Sequence, residues 1–382
     1  MCMEKKIGIL GGTFDPVHNE HISLAESAIN ELGLDILYVI PTYIPPHKQN
    51  KKITAFEHRI QMLRLAFNNP KIIISDYEGA MGGASYTYLT VEHFKQPNAT
   101  LYFIVGADML VDFKSWRFPE RILQSCQLAV FLRKGFEFSL NDEITYFKNN
   151  YGKSFTLLNY VGENLSATKI RVYSALGVPT DNLISPKVKE YISDNRLYYS
   201  QYKQLIDYVI KVEKPSRVVH TANVIICALS RAKELALDED KVFLACLLHD
   251  VAKYQDETAY PNCAIPNDVP APVRHAFLGA YIAETVLGVT DKEIIDAIRY
   301  HTSGKANMGS LAKLVFTADM VEEGRTYPEA KHLQHYFATH DFESAFKECL
   351  SQELQHLLKK LDEKSIYKET LNCYNYYINE KE

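Results

Sequence analysis

The feature that most constrains the fold is a change of hydrophobic period near residue 200. Before it, short apolar runs of strand length occur at 7–10, 36–40, 72–75, 101–105, 128–132 and 155–158. Helical patterns separate them, as at 22–32 and 56–67. Strands alternating with helices predict a parallel α/β sheet. From Gln201 onward the strand pattern vanishes and helical periodicity takes over at 204–212, 217–237, 240–253, 273–287, 291–300 and 311–323, with two more helices near the end. A length of 382 residues suits two domains. We therefore expect an α/β domain over 1–199 and an all-α domain over 200–382. No Gly/Ser-rich tether separates them.

Composition narrows the function classes. A net charge of -5 argues against a general nucleic-acid binder. No apolar run approaches a membrane span, and no signal-like segment precedes the first strand. Seven scattered cysteines without a CxxC pair fit reduced thiols in a cytoplasm. The partners expected are small nucleotides, with neither nucleic acid nor membrane. The composition is also compatible with a homo-oligomer.

The densest chemistry in the first half is Gly11-Gly12-Thr13-Phe14-Asp15-Pro16-Val17-His18-Asn19-Glu20-His21. It reads strand, glycine turn, helix. Glycines let backbone approach a phosphate, and a helix start offers unpaired N–H groups and a positive dipole end. His18 and His21, three apart, share a face there. This is a nucleotide-phosphate site with two imidazoles aimed at it. The string resembles the GGTFDPxHxGH signature of bacterial nicotinate mononucleotide adenylyltransferases, with Glu20 where that family usually has Gly. The resemblance implies a Rossmann-like nucleotidylyltransferase fold, with Gly11, Gly12, Thr13 and Phe14 at ATP.

Further segments extend the match. Pro45-Pro46-His47-Lys48 resembles the family's PPHK loop near the triphosphate. Ser85-Tyr86-Thr87 opens a helix with hydroxyls suited to capping, and resembles the segment whose backbone amides meet the pyridine carboxylate. Gly106-Ala107-Asp108 ends a strand, where ligands of doubly wound sheets sit. It leads to Trp116, the chain's one tryptophan, at the family's nicotinate-stacking position. Leu165-Ser166-Ala167-Thr168-Lys169-Ile170-Arg171 is a cappable helix start with an arginine one turn in, an anion site. It resembles the family's ISSTxIR motif.

The resemblance implies in-line attack by the phosphate of nicotinic acid mononucleotide on the α-phosphate of ATP, by positioning and charge neutralisation. In that scheme His18 and His21 meet the α-phosphate. Lys48 and Arg171 hold the outgoing phosphates with Mg2+, while Asp108, Gly106, Ser166 and Thr168 contact ATP. Ser85, Tyr86, Thr87 and Trp116 take the nicotinate nucleotide. The segment from Val188 to Tyr198 resembles the family's terminal helix.

In the second half the polar exceptions are informative. His249-Asp250 closes an apolar helix, and Asp319 interrupts another. Such groups are costly to bury unless bound to something. With His220, His275 and His301 they make four imidazoles and two carboxylates on five helices. That set suits one or two first-row metals such as Fe, Mn or Co, and the absence of thiolates disfavours structural zinc. The order H…HD…H…H…D resembles the HD-superfamily phosphohydrolases. The finer resemblance is to bacterial HD proteins that cleave diadenosine tetraphosphate symmetrically. It implies that His220, His249, Asp250 and Asp319 hold one metal, that Asp250 bridges, and that His275 and His301 hold the second. Lys253 would then stabilise phosphate charge. The leading expectation is a bifunctional enzyme. The alternative keeps the adenylyltransferase and makes the HD half act on other nucleotides or sense them.

Overall fold

A computed structural model describes residues 4–44, 53–135, 139–163 and 165–379. The chain divides into two compact units: Met1–Ser174 with Pro179–Tyr198, and Ala175–Val178 with Tyr199–Glu382.

Unit 1 is built on six parallel strands: β1 (Lys5–Gly12), β2 (Ile36–Pro41), β3 (Ile72–Ile74), β4 (Ala99–Gly106), β5 (Gln127–Arg133) and β6 (Thr156–Gly162). All six apolar runs read as strands are strands. Their order is β3-β2-β1-β4-β5-β6. The direction of winding reverses between β1 and β4, which opens a crevice beyond their carboxyl ends. The helices are α1 (Asn19–Leu32), α2 (Phe56–Ala66), α3 (Tyr77–Met81), α4 (Thr87–Phe94), α5 (Ala107–Val111), α6 (Pro119–Ser125), α7 (Leu140–Tyr151), α8 (Ala167–Leu176) and α9 (Pro186–Asp194).

Period-2 alternation along the strands feeds two separate cores. Leu10, Leu37, Val39, Ile104, Ala129 and Phe131 pack with residues of α1, α2, α8 and α9. Ile7, Ile9, Leu101, Phe103, Leu128 and Val130 pack with residues of α4 to α7. The sheet is thus covered on both faces, as near-continuous apolar strands require.

Unit 2 is helical: α10 (Lys203–Val212), α11 (Pro215–Arg231), α12 (Glu239–Leu248), α13 (Ala271–Thr285), α14 (Lys292–Tyr300), α15 (Ser310–Val321), α16 (Ala330–Thr339), α17 (Phe342–Lys360) and α18 (Lys368–Tyr374). Three helices, not two, follow α15. The expected helix over 240–253 stops at Leu248. The reason is local: His249 Nδ1 lies 2.7 Å from the carbonyl oxygen of Cys246, so the imidazole occupies an acceptor of the last turn. The chain then tightens into turns, with Val251 N–H on Leu248 O and Lys253 N–H on Asp250 O. His301 ends α14 in the same way, with Nδ1 2.7 Å from Ile298 O. Among the described residues no helix is long and apolar enough to cross a membrane.

Candidate functional sites

The first site lies at the β1–β4 crevice. His18 is the N-cap of α1, and its backbone N–H donates to His21 Nδ1 at 3.2 Å. In neutral His21 the proton therefore sits on Nε2. The two rings stack at 3.7 Å, and Phe14 packs edge-on to His21 at 4.9 Å. Burial, reinforced by the nearby Arg133 cation, lowers His18 to about 4. Burial, His18 and Arg133 hold His21 well below the ordinary histidine value. Both rings are neutral donors at neutral pH. Among the described residues His18 Nδ1 is buried without a hydrogen-bond partner, as a group awaiting a ligand would be.

Glycine serves close packing here. A Cβ on Gly12 would come within 3.0 Å of the Phe14 ring, and one on Gly106 would collide with Asp108 Oδ1. Arg171 donates to Asp15 O at 2.8 Å and to Thr168 Oγ1 at 3.0 Å, which draws the two nucleotide motifs together. Ser166 Oγ accepts from Lys169 N–H at 3.2 Å, as a capping serine should. Glu20 is turned aside, with Oε2 accepting from Tyr160 OH at 2.7 Å and from Glu163 N–H at 2.8 Å. The carboxylate that replaces the family glycine is thus held on β6. Ser85 does not cap α4. Tyr86 is the N-cap, and Ser85 Oγ instead accepts from Tyr43 N–H at 2.8 Å. Trp116 is half-buried on Phe113 and Phe103. His47 and Lys48, with the proline loop, lie outside the described residues.

Two arginines were not among the expected site residues. Arg133 is the last residue of β5, with Nε 3.7 Å from Asp108 Oδ1, and its charge acts on both imidazoles. Arg59 is 1% exposed and donates to the carbonyls of Thr13, Thr42, Tyr43 and Thr54. It ties the glycine loop to the loop after β2. An arginine on the buried face of an apolar helix was the available signal.

The second site is assembled in unit 2. His249 and Asp250 follow α12, and His301 follows α14. His220 is on α11, His275 on α13 and Asp319 on α15. Two triads form, His220/His249/Asp250 and Asp250/His275/His301, and within each the candidate ligand atoms lie within 4.8 Å of one another. Asp319 Oδ1 stands 3.0 Å from His220 Nε2 and 3.9 Å from His249 Nε2. Lys253 Nζ is 3.1 Å from His275 Nε2. All six expected ligands, and Lys253, are brought together.

This donor set fits divalent metal on its own chemistry. His249 and His301 point Nδ1 at backbone carbonyls, and His220 Nδ1 meets Glu322 Oε1 at 3.0 Å. Each Nδ1–H is thus spent on an acceptor, leaving Nε2 as a lone pair toward the centre. The Nε2 atoms of His220 and His249 then face each other at 3.4 Å, and those of His275 and His301 at 3.3 Å. The facing lone pairs of His220 and His249 suit a cation between them. Asp250 Oδ1 is buried 3.1 Å from His275 Nε2 yet among the described residues forms no well-directed hydrogen bond. Its other oxygen takes the Arg217 guanidinium at 2.9 Å. Glu322, Arg217 and Arg325, which pairs with Asp319, support the ligands from behind.

A cytidylyltransferase-like family profile matches residues 9–172, and an HD domain profile matches residues 217–324. The nicotinate-nucleotide adenylyltransferase of Bacillus subtilis is 39% identical over 199 residues, 51% of this chain and 100% of that one. A Mycoplasma genitalium protein named probable nicotinate-nucleotide adenylyltransferase/Ap4A hydrolase is 30% identical over 331 residues, 85% of this chain and 89% of its own. The solved nicotinic acid mononucleotide adenylyltransferase of Plasmodium falciparum overlaps 51% of this chain and 97% of its own, with 22% identity and a TM-score of 0.41. The chain belongs to the nicotinate-nucleotide adenylyltransferase family, in the form that continues into an HD-type metal-dependent domain.

Proposed function

We propose a bifunctional cytoplasmic enzyme. Unit 1 transfers AMP from ATP to nicotinic acid mononucleotide, giving nicotinic acid adenine dinucleotide for NAD synthesis, and pyrophosphate leaves. Unit 2 hydrolyses diadenosine tetraphosphate symmetrically, one water yielding two ADP.

The stacked, neutral His18–His21 pair supports the first activity. The mononucleotide phosphate oxygen attacks the α-phosphorus as the bond to the bridging oxygen breaks. His21 Nε2–H and the His18 ring donate to the α-phosphate oxygens, where negative charge is concentrated. Arg171 and Lys48 hold the departing pyrophosphate. Gly11, Gly12, Thr13, Phe14, Gly106, Asp108, Ser166 and Thr168 seat ATP, while Ser85, Tyr86, Thr87 and Trp116 seat the pyridine. Mg2+ bound with ATP would share the triphosphate charge.

The position of Asp250 in both triads supports the second activity. Bound Fe, Mn or Co would supply Lewis acidity and lower the pKa of the attacking water. His220, His249, Asp250 and Asp319 would hold one ion, and Asp250, His275 and His301 the other. Lys253, above His275, neutralises charge on the polyphosphate.

The test is product analysis with the full chain. Loaded with Fe2+ or Mn2+, it should convert diadenosine tetraphosphate to ADP alone, and Asp250→Ala should abolish this. AMP plus ATP would overturn the symmetric assignment, and no product with any metal would favour a sensing module. Faster turnover of the acid than of the amide mononucleotide with ATP is expected of unit 1.

A further inference from the structure

Trp116 is followed by Arg117 and Phe118, and the three have different surroundings. The Arg117 guanidinium lies 4.7 Å over the Tyr86 ring and 5.3 Å over Phe118. Among the described residues it has no carboxylate at ion-pair distance. Arg121, on the next helix turn, also stacks on Phe118 and on Tyr88, but its charge is satisfied by a bidentate pair with Glu92 at 2.7 and 2.6 Å. Among the described residues Arg117 is the cation of this cluster left without an anion.

Its position is held by rings and by backbone. Phe118 adopts φ 56° and ψ 57°, a left-handed conformation that is strained for an aromatic residue. The residue stays 44% exposed, and its ring meets Tyr88 edge-on at 5.1 Å. Tyr86 is the N-cap of α4, and no side chain caps that helix start. The loop carrying Trp116 is thus docked on the start of α4 through Arg117–Tyr86 and Phe118–Tyr88. A planar cation stacked on two rings keeps its in-plane N–H donors free for a carboxylate.

We propose that the Arg117 side chain selects the anionic acid mononucleotide over its neutral amide analogue. The proposal rests on the reading of Ser85–Thr87 and Trp116 as the pyridine cradle. The pyridine substituent is the one place where these two substrates differ: a carboxylate in the first, an uncharged amide in the second. A guanidinium facing it stabilises the acid and contributes little to the amide. Since Arg117 is exposed, the effect is screened by salt.

The experiment uses the full chain with ATP and each mononucleotide, in wild type, Arg117→Gln and Arg117→Lys. Arg117→Gln should lower kcat/KM for the acid by about tenfold, the scale of one charge-assisted hydrogen bond. It should leave the amide within about twofold, so the acid-to-amide ratio collapses. Arg117→Lys should retain part of that ratio. Raising ionic strength should shrink the ratio in wild type and not in Arg117→Gln. An unchanged ratio, or equal losses on both substrates, overturns the proposal and leaves Arg117 a packing residue. A wild-type chain that turns over neither mononucleotide would instead overturn the adenylyltransferase reading, and the proposal with it.

Discussion

Both units present imidazoles to phosphate chemistry, but they build that arrangement differently. In unit 1, His18 and His21 come from one helix start, three residues apart, and are oriented by each other and by local backbone. In the proposed mechanism they act as N–H donors. In unit 2, four histidines come from four helices spread over about eighty residues of chain, and carbonyls or a carboxylate hold each of three Nδ1 atoms. In the proposed mechanism they act as lone-pair donors. Protonation would spoil both sites for opposite reasons: the first would gain charge in a buried place, and the second would lose its ligands. The lesson is that burial keeps the two unit 1 rings neutral, while the partner of Nδ1 sets what a ring can do.

The largest effect should come from removing the residue shared by both triads. Asp250→Ala should empty the unit 2 site, bringing metal content by elemental analysis close to zero. It should also cut diadenosine tetraphosphate hydrolysis by at least about a thousandfold, the scale for breaking a catalytic unit. Adenylyl transfer measured on the same protein should be unaffected. A loss there would break the picture of two separately built sites.

His21→Ala should lower kcat for adenylyl transfer by about 10²–10³, the cost of one charge-stabilising donor, with KM for ATP nearly unchanged. Turnover close to wild type would remove His21 from the chemistry.

Glu322→Gln sharpens the comparison from the other side. It leaves every proposed ligand in place but weakens the acceptor for His220 Nδ1. Metal affinity, measured by chelator competition, should fall about 10–100-fold. An unaltered affinity would mean that His220 is oriented by packing alone.

The smallest effect is on stability. The folded His18 value of about 4 lies below the ordinary 6.5, so on acidification the unfolded chain binds the proton first. The stability linked to His18 is complete above pH 6.5 and is lost as pH falls from 6.5 to 4. The loss should reach roughly 3 kcal/mol. Trp116, the chain's single tryptophan, reports unfolding of unit 1. Denaturation of the full chain across that window should show a steeper acid loss in wild type than in His18→Gln. Parallel curves would mean that His18 is protonated in the folded protein.

The contrast also explains what could be read early. The six strands were legible because apolar runs covered on both faces leave an unambiguous signature, and the pattern at 11–21 because its site is nearly contiguous. Helix ends in unit 2 were misplaced at 249–253, because a side chain, not a glycine or proline, terminates α12. Arg59 reads as an interruption of an amphipathic helix. Only its four carbonyl partners show that it pins the loops beside the phosphate site. Glu20 reads as a carboxylate in a phosphate motif, and only the Tyr160 hydroxyl and Glu163 amide show that it faces away.

By itself, then, the sequence determined the two fold classes, the order of the strands along the chain and the chemical types at each site. Those depend on local periodicity and on residue identity, which a linear string carries in full. Which strands neighbour one another, where six proposed ligands from five helices converge, and which carboxylates face the site or turn from it were decided only in three dimensions. Convergence of that kind depends on packing between elements far apart in the chain, and on which polar group finds which partner once water is excluded.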